Sequence, residues 1–290
     1  MSGCTVFADK AALAEHAAAK WLERLAKRDT NRPFTVALSG GRIPKLLYES
    51  MARCAGEGAF ENVHFFWGDE RVVPPTDDES NFKLADLGLF RPLRIPQDQV
   101  HRVRTERSED EAVQFATDEL LQLTESNAAG QLVIDLVFLG MGDDAHVASL
   151  FPGDSRAIES QAVYRAVTGP KPPPRRITLG YPTLAAAREV WVLVSGEGSL
   201  RLFAPPWPRA ATPRWPMCCK AANARKSSPT LSCKNPSLLA SRFQFYSRFS
   251  AVLWRDFIVA GSAPLKVILF TGSSIFFWET PNYPGHCCQR

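Results

Sequence analysis

Between Asp9 and Arg28 the apolar residues Leu13, Ala17, Trp21, Leu22 and Leu25 recur every three to four positions. That period gathers side chains on one face of a helix. Asp9 stands where a side-chain oxygen can cap the first turn, and His16 reads as a solvated surface residue of the same helix. The rhythm then changes. "FTVALSGG" is a buried strand running into a glycine turn, and "PKLLYESMARC" resumes the helical period with Pro44 in its first turn. "VHFFWGDER" is a second strand entering a loop, and "SNFKLAD" offers Ser80 or Asn81 as the cap of the next helix. "EDEAVQFATDELLQLTES" is amphipathic at helical spacing, and "LVIDLVFLGMG" is a third strand. "RRITLGYPTLAAAREVWVLVSGEG" gives a strand or turn, a short helix and a last strand. Strands alternating with helices predict an α/β domain with a mainly parallel sheet flanked by helices. Ligands of such sheets sit beyond the carboxyl ends of the strands. Every polar cluster of this chain falls at such an end.

Three clusters carry candidate chemistry. Ser39, Gly40 and Gly41 leave the first strand just before a helix, where glycines let backbone N–H groups approach an anion and the helix N-terminus adds partial positive charge. An ordinary strand-to-helix turn would be written in the same letters, and neither the P-loop nor the dinucleotide spacing is present. Asp69, Glu70 and Arg71 place two carboxylates and a guanidinium at the end of the second strand. Arg71 can grip a phosphate with paired hydrogen bonds while a neighbouring acid orients it, though a surface ion-pair cluster would read alike. "LGMGDDAHVASLFPG" sets Asp143, Asp144 and His146 beside one another after the third strand. An imidazole there can take a proton from water next to an electrophilic carbon, and a preceding carboxylate can hold the ring or a substrate hydroxyl. The other histidines, His16, His64, His101 and His286, make no ligand spacing with His146, so no metal site is expected.

Taken together, "LSGG", "GDERVVPPTDDESN", "LGMGDDAHVASLFPG" and "KPPPRRITLGYPTL" resemble, in order, the motifs of the 6-phosphogluconolactonase family over about residues 5–198. The resemblance implies a Rossmann-like α/β fold related to glucosamine-6-phosphate isomerases. It also implies no cofactor, a small phosphosugar lactone as the only partner, no nucleic acid or membrane, and a monomer or homodimer. Carried onto this chain, Ser39, Gly40, Gly41 and Arg71 hold the phosphate, with Asp69 among the substrate-binding residues. His146 is the base that activates water against the lactone carbonyl. Asp143 and Asp144 shape the site, and Lys171 to Arg176 form a basic rim. Two positions depart from the family pattern. Ala145 stands where the family has glycine, so a positive φ there would carry strain. Arg42-Ile43-Pro44 replaces Ser-Thr-Pro. The sister isomerases continue past the histidine with Phe-Asn-Glu-Pro, whereas this chain reads Ala148-Ser149-Leu150-Phe151-Pro152; that favours the lactonase over the deaminase.

Composition changes the picture only beyond residue 198. The 290-residue chain is 45% hydrophobic, an ordinary globular composition. The opening "MSGCTVFADK" has no basic start followed by an apolar run, so a cytoplasmic location is expected. Residues 1–198 carry an acidic excess, while residues 199–290 hold only Asp256 and Glu279 as acids among many Lys and Arg. Cysteine follows the same split: Cys4 and Cys54 come before it, and Cys218, Cys219, Cys233, Cys287 and Cys288 after it. Such a break marks a second domain, a basic tail or an altered reading frame. Joining the last base of each codon to the first two of the next lets residues 206–221 read "LAAGGDTPLAHVLQS", a helix end, a turn and a strand. We therefore read 1–198 as one α/β domain lacking its last elements. Residues 199–290 are read as a frameshift-derived tail, poorly structured and low in regular elements. "FIVAGSAPLKVILFTGSSIFFW" has spanning length, but Lys266 and its polar residues make it a poor membrane anchor.

Overall fold

The computed structural model describes residues 7, 9–142 and 144–195, together with the backbone of two further strands at 265–270 and 277–279. Helix α1 (Lys10–Ala26) starts where Asp9 accepts from the Ala12 N–H at 2.8 Å, and it buries Leu13, Ala17, Trp21 and Leu25. His16, expected in solvent, is partly buried against the ring of Phe7.

Strand β1 (Phe34–Leu38) is buried at every residue and leads through Ser39–Gly41 into α2 (Arg42–Cys54), which packs on α1. Strand β2 (Val63–Trp67) lies parallel to β1. β3 (Asp69–Arg71) follows one residue later but leaves the main sheet. A short α3 (Asn81–Ala85), capped by Ser80, runs through a π turn into α4 (Arg91–Leu93). The amphipathic helix α5 (Glu109–Leu123) opens with a capping box between Ser108 and Glu111. β4 (Leu136–Gly140) is parallel to β1 on its other side. It starts later than the apolar run from Val133, because Asp135 turns aside to accept the Thr35 N–H while its own N–H donates to Thr35 Oγ1. After α6 (Ser155–Glu159), the hairpin β5 (Tyr164–Thr168) and β6 (Arg175–Leu179) pairs with β3 in a small antiparallel sheet. A short α7 (Tyr181–Ala186) then returns the chain to β7 (Glu189–Ser195), parallel to β4.

The main sheet runs in the order β2-β1-β4-β7-β8-β9. Of residues 199–290, only β8 (Leu265–Phe270, parallel to β7) and β9 (Phe277–Glu279, antiparallel to β8) are described. These stretches are regular elements of the sheet, in a segment expected to be low in them. The rest of the tail lies outside the described residues. Among the described residues no helix is long and apolar enough to cross a membrane.

The chain moves from β1 outward to β2 and then returns to the opposite side of β1 as β4. That reversal leaves a crevice at the carboxyl ends of β1 and β4, the usual ligand position of a doubly wound sheet. The loops after β1 and β4 meet there: the Gly140 N–H donates to Ser39 Oγ at 3.3 Å.

Candidate active site

A cavity of about 260 Å³ opens at this crevice. Its lining brings together Ser39, Gly40, Gly41, Asp69, Arg71, His146, Lys171 and Arg176, eight of the ten residues singled out in the sequence. Asp144 lies just outside the lining and touches it through His146. Asp143 lies outside the described residues.

The glycine turn is shaped by two different constraints. Gly41 has φ +105°, which only glycine adopts without strain. Gly40 has an ordinary φ, but a Cβ there would lie 1.8 Å from Asn81 Oδ1. Asn81 lies against this backbone while its Nδ2 donates to the Asp69 carbonyl at 2.8 Å. Ser39 is fixed from below, where the buried Tyr48 hydroxyl donates to its carbonyl at 2.6 Å. Helix α2 opens at Gly41 with no side-chain cap, so its first-turn N–H groups remain free for an anion.

Alternation along β3 sends Asp69 and Arg71 to the cavity and Glu70 to the other face. Arg71 lies directly across from Arg176 in the β3–β6 register. Like charges directly opposed in a sheet repel one another. Arg176 is only 5% exposed, so it belongs to the interior of the site rather than to its rim. Its guanidinium donates to the carbonyls of Pro173 (3.0 Å) and Lys171 (3.2 Å). Burial and the neighbouring Arg71 both push its pKa down. Arg71 gives one nitrogen to the Glu79 carbonyl (3.1 Å) and carboxylate (3.3 Å), while its buried Nε has no partner. The acid orienting Arg71 is therefore Glu79, eight residues on, and not its neighbours in the sequence. Lys171 is exposed, 4.0 Å from Asp144; Arg175, in the same basic stretch, turns away to Glu109.

Across the cavity, His146 Nδ1 sits 2.5 Å from Asp144 Oδ1. Burial pushes the Asp144 carboxyl up, but the His146 hydrogen bond, with the charges of His146 and Lys171, holds it below the ordinary value. A carboxylate on Nδ1 fixes the tautomer with the proton there and leaves Nε2 able to accept one. The loop is tight. A Cβ on Gly142 would come within 2.3 Å of the imidazole, and Ala145 adopts φ +67°. Asp69 Oδ2 accepts from Ser149 Oγ at 2.7 Å, which ties β3 to this loop. A carboxylate repels a phosphate, so Asp69 suits a sugar hydroxyl better than the phosphate itself.

Arg42 also lines the cavity, exposed at the first position of α2. The sequence marked it only as a departure from a pattern; its place in the first turn after two glycines was the signal for a role. Among the described residues no cluster of three or more His, Cys, Asp or Glu could hold a metal ion.

Fold and site together define a Rossmann-like α/β domain with an arginine-lined crevice beside a His–Asp pair. The chain belongs to the glucosamine-6-phosphate isomerase/6-phosphogluconolactonase family, whose model matches residues 8–226. It is 38% identical over 168 residues to the 6-phosphogluconolactonase of Mycobacterium tuberculosis, covering 56% of this chain and 68% of that one. To the 6-phosphogluconolactonase of Streptomyces coelicolor it is 34% identical over 202 residues, covering 66% and 77%. The solved structure of 6-phosphogluconolactonase from Trypanosoma cruzi superposes with a TM-score of 0.62 at 26% identity, over 71% of this chain and 86% of that one.

Proposed function

We propose that this chain hydrolyses 6-phospho-D-glucono-1,5-lactone to 6-phosphogluconate, the lactonase step of the pentose phosphate pathway, in the cytoplasm and without a cofactor. The observation that carries this reading is the opposition of Arg71 and Arg176 across β3 and β6, both facing the cavity that holds His146. Two apposed guanidiniums beside uncapped helix amides match a phosphate dianion. The His146–Asp144 pair at the same cavity then faces the far end of the bound sugar. His146 Nε2 takes a proton from water as the water oxygen bonds to the lactone carbonyl carbon. Collapse of the tetrahedral intermediate breaks the bond to the ring oxygen, which receives the proton back from His146. Asp144 holds the imidazole and balances its charge while protonated. The names of the relatives support the same substrate.

The test is direct assay of lactone hydrolysis, with spontaneous opening subtracted at each pH. His146→Ala should lower turnover by about 10²–10⁴-fold with substrate affinity nearly intact, the usual contribution of a general base. Near-full turnover in that variant would move the base to Asp143 or Asp144. Ala145, held at positive φ in the histidine loop, favours a second reading in which the protein binds the phosphosugar without turning it over. Tight binding of 6-phosphogluconate without any hydrolysis would select it.

Residues 199–290 enter this proposal as an out-of-frame tail, on the charge and cysteine break and on the shifted-codon reading of residues 206–221. The nucleotide sequence around codon 198 decides the matter: a next frame unable to encode a family-like ending would end that reading.

A further inference from the structure

We infer that Glu70 is a positioning residue for phosphate recognition: its carboxylate clamps the 79–82 loop so that Arg71 and the glycine turn meet the phosphate together. This inference rests on the phosphosugar reading of the site.

Glu70 points away from the cavity and is 2% exposed. Its Oε1 accepts the N–H of Arg71 (2.8 Å) and of Asn81 (2.8 Å). Its Oε2 accepts the N–H of Phe82 (2.7 Å) and the hydroxyl of Ser80 (3.3 Å). One carboxylate thus pins the end of β3 to the first turn of α3. No cation pairs with it among these partners; neutral dipoles hold it.

The clamped loop touches the cavity wall from two sides. Glu79, at its start, holds the Arg71 guanidinium through both its carbonyl and its carboxylate. Asn81, at its centre, lies against Gly40 with no room for a Cβ between them, and binds the Asp69 carbonyl. Loosening the loop would therefore release the aim of Arg71 and the seat of the glycine turn at once. His146 sits on the separate 141–150 loop, which reaches β3 through Asp69 and Ser149 and not through Glu70. The clamp should accordingly act on binding and leave the chemical step alone. Burial pushes the Glu70 carboxyl up to about 7 against the pull of the Asn81, Arg71 and Phe82 N–H groups, with the Asp69 charge adding to the rise. Arg102 also feels this carboxylate, but burial outweighs every favourable contact, so keeping the group charged carries a folding cost.

The experiment uses the full chain at about pH 8, where the carboxylate is ionised. Inorganic phosphate is the probe, titrated by calorimetry beside steady-state kinetics on the phosphorylated lactone. Glu70→Gln keeps the shape but presents an NH2 group to N–H donors. It should weaken phosphate binding and raise KM together by about tenfold, with kcat within about twofold. Melting curves establish that the variant is folded. If it is not, Ser80→Ala removes one of the four donors and should shift both constants about threefold. A folded variant with unchanged phosphate affinity, or one that loses kcat at constant KM, overturns the inference. Should wild type bind phosphate yet hydrolyse no lactone, the proposed reaction fails and the clamp is judged on phosphate affinity alone. A wild type that binds no phosphate sinks both.

Discussion

The two ends of the parallel sheet handle charge in opposite ways. Where β1, β4 and β7 begin, Asp135 is 1% exposed and fully answered. Arg32 grips it with two nitrogens (2.9 and 2.6 Å), the Thr35 N–H donates at 3.0 Å, and Arg188 Nε approaches to 3.2 Å. Arg188 is shared with Glu125, so positive and negative groups balance. Where the strands end, Arg71 opposes Arg176, Gly142 leaves the His146 ring no slack, and Ala145 and Ala148 are held at positive φ. The first pole is built for folding. The second keeps repulsion and strain that folding alone would have removed, a pattern that clusters where function overrides stability.

The largest expected effect breaks the satisfied pole. Asp135→Ala leaves two guanidiniums and the Thr35 N–H facing a void, and loss of one partner of a buried pair costs about 3–5 kcal/mol. Chemical denaturation should show that loss, while KM of the folded fraction stays unchanged. A cost under about 1 kcal/mol would reduce this cluster to a surface ion pair.

Next in size is the pH response of Glu70. Its folded value of about 7 lies above the ordinary 4.5, so between those values the folded state holds the proton more tightly than the unfolded chain does. The contribution is present below the unfolded value and is lost as pH rises through the folded one. Relative to Glu70→Gln, which cannot titrate, wild type should lose about 3 kcal/mol of stability between pH 4.5 and 8. Parallel stability profiles for the two proteins would show that the buried carboxyl titrates normally.

Arg71→Ala tests the strained pole by the opposite sign. Removing a charge that faces Arg176 should leave stability in phosphate-free buffer unchanged within about 0.5 kcal/mol or slightly raised, since the ion pair lost is one with the exposed Glu79 and relief of repulsion offsets it. KM should nevertheless rise about tenfold or more, with kcat falling less. Wild type should gain thermal stability from phosphate, and the variant much less. Equal stabilisation of both proteins would place the phosphate elsewhere.

The sequence made one part of this contrast legible and hid another. Local features were readable because short stretches encode them: the Asp9 cap, the glycine turn, the four parallel strands β1, β2, β4 and β7, and His146 after a glycine-rich exit. Asp69, Arg71 and His146 stood out for the same reason, each lying just beyond an apolar strand run. What joins them depends on pairing between distant segments. The Arg71–Arg176 register, the Glu79 grip and the seat of Asn81 on Gly40 leave no periodic trace, so Glu70 read only as one more acid in a polar cluster. Arg176 was placed on a basic rim by the family resemblance; strand pairing with β3 buries it instead. Asp135 carried a signal, a lone acid within an apolar run, and its partners Arg32 and Arg188 were equally beyond local pattern.

The smallest expected effect sharpens the contrast at a single methyl group. Ala145 sits at φ +67° in the loop between Asp144 and His146, where a Cβ crowds the backbone. A left-handed conformation costs an L-residue about 1–2 kcal/mol. Replacing it with glycine removes that strain but returns about 0.4–1 kcal/mol of chain entropy to the unfolded state. The difference leaves Ala145→Gly more stable by about 0.5–1 kcal/mol, a small rise in melting temperature. The same relief should let the loop hold His146 and Asp144 in register more of the time, so kcat should rise modestly while KM stays put. Ala148 supplies the control. It too has positive φ (+50°), but it lines the cavity, so its glycine variant tests strain together with a change in the wall. If Ala145→Gly destabilises the protein instead, the entropy term outweighs the strain, and the histidine loop stores less energy than its backbone angles imply.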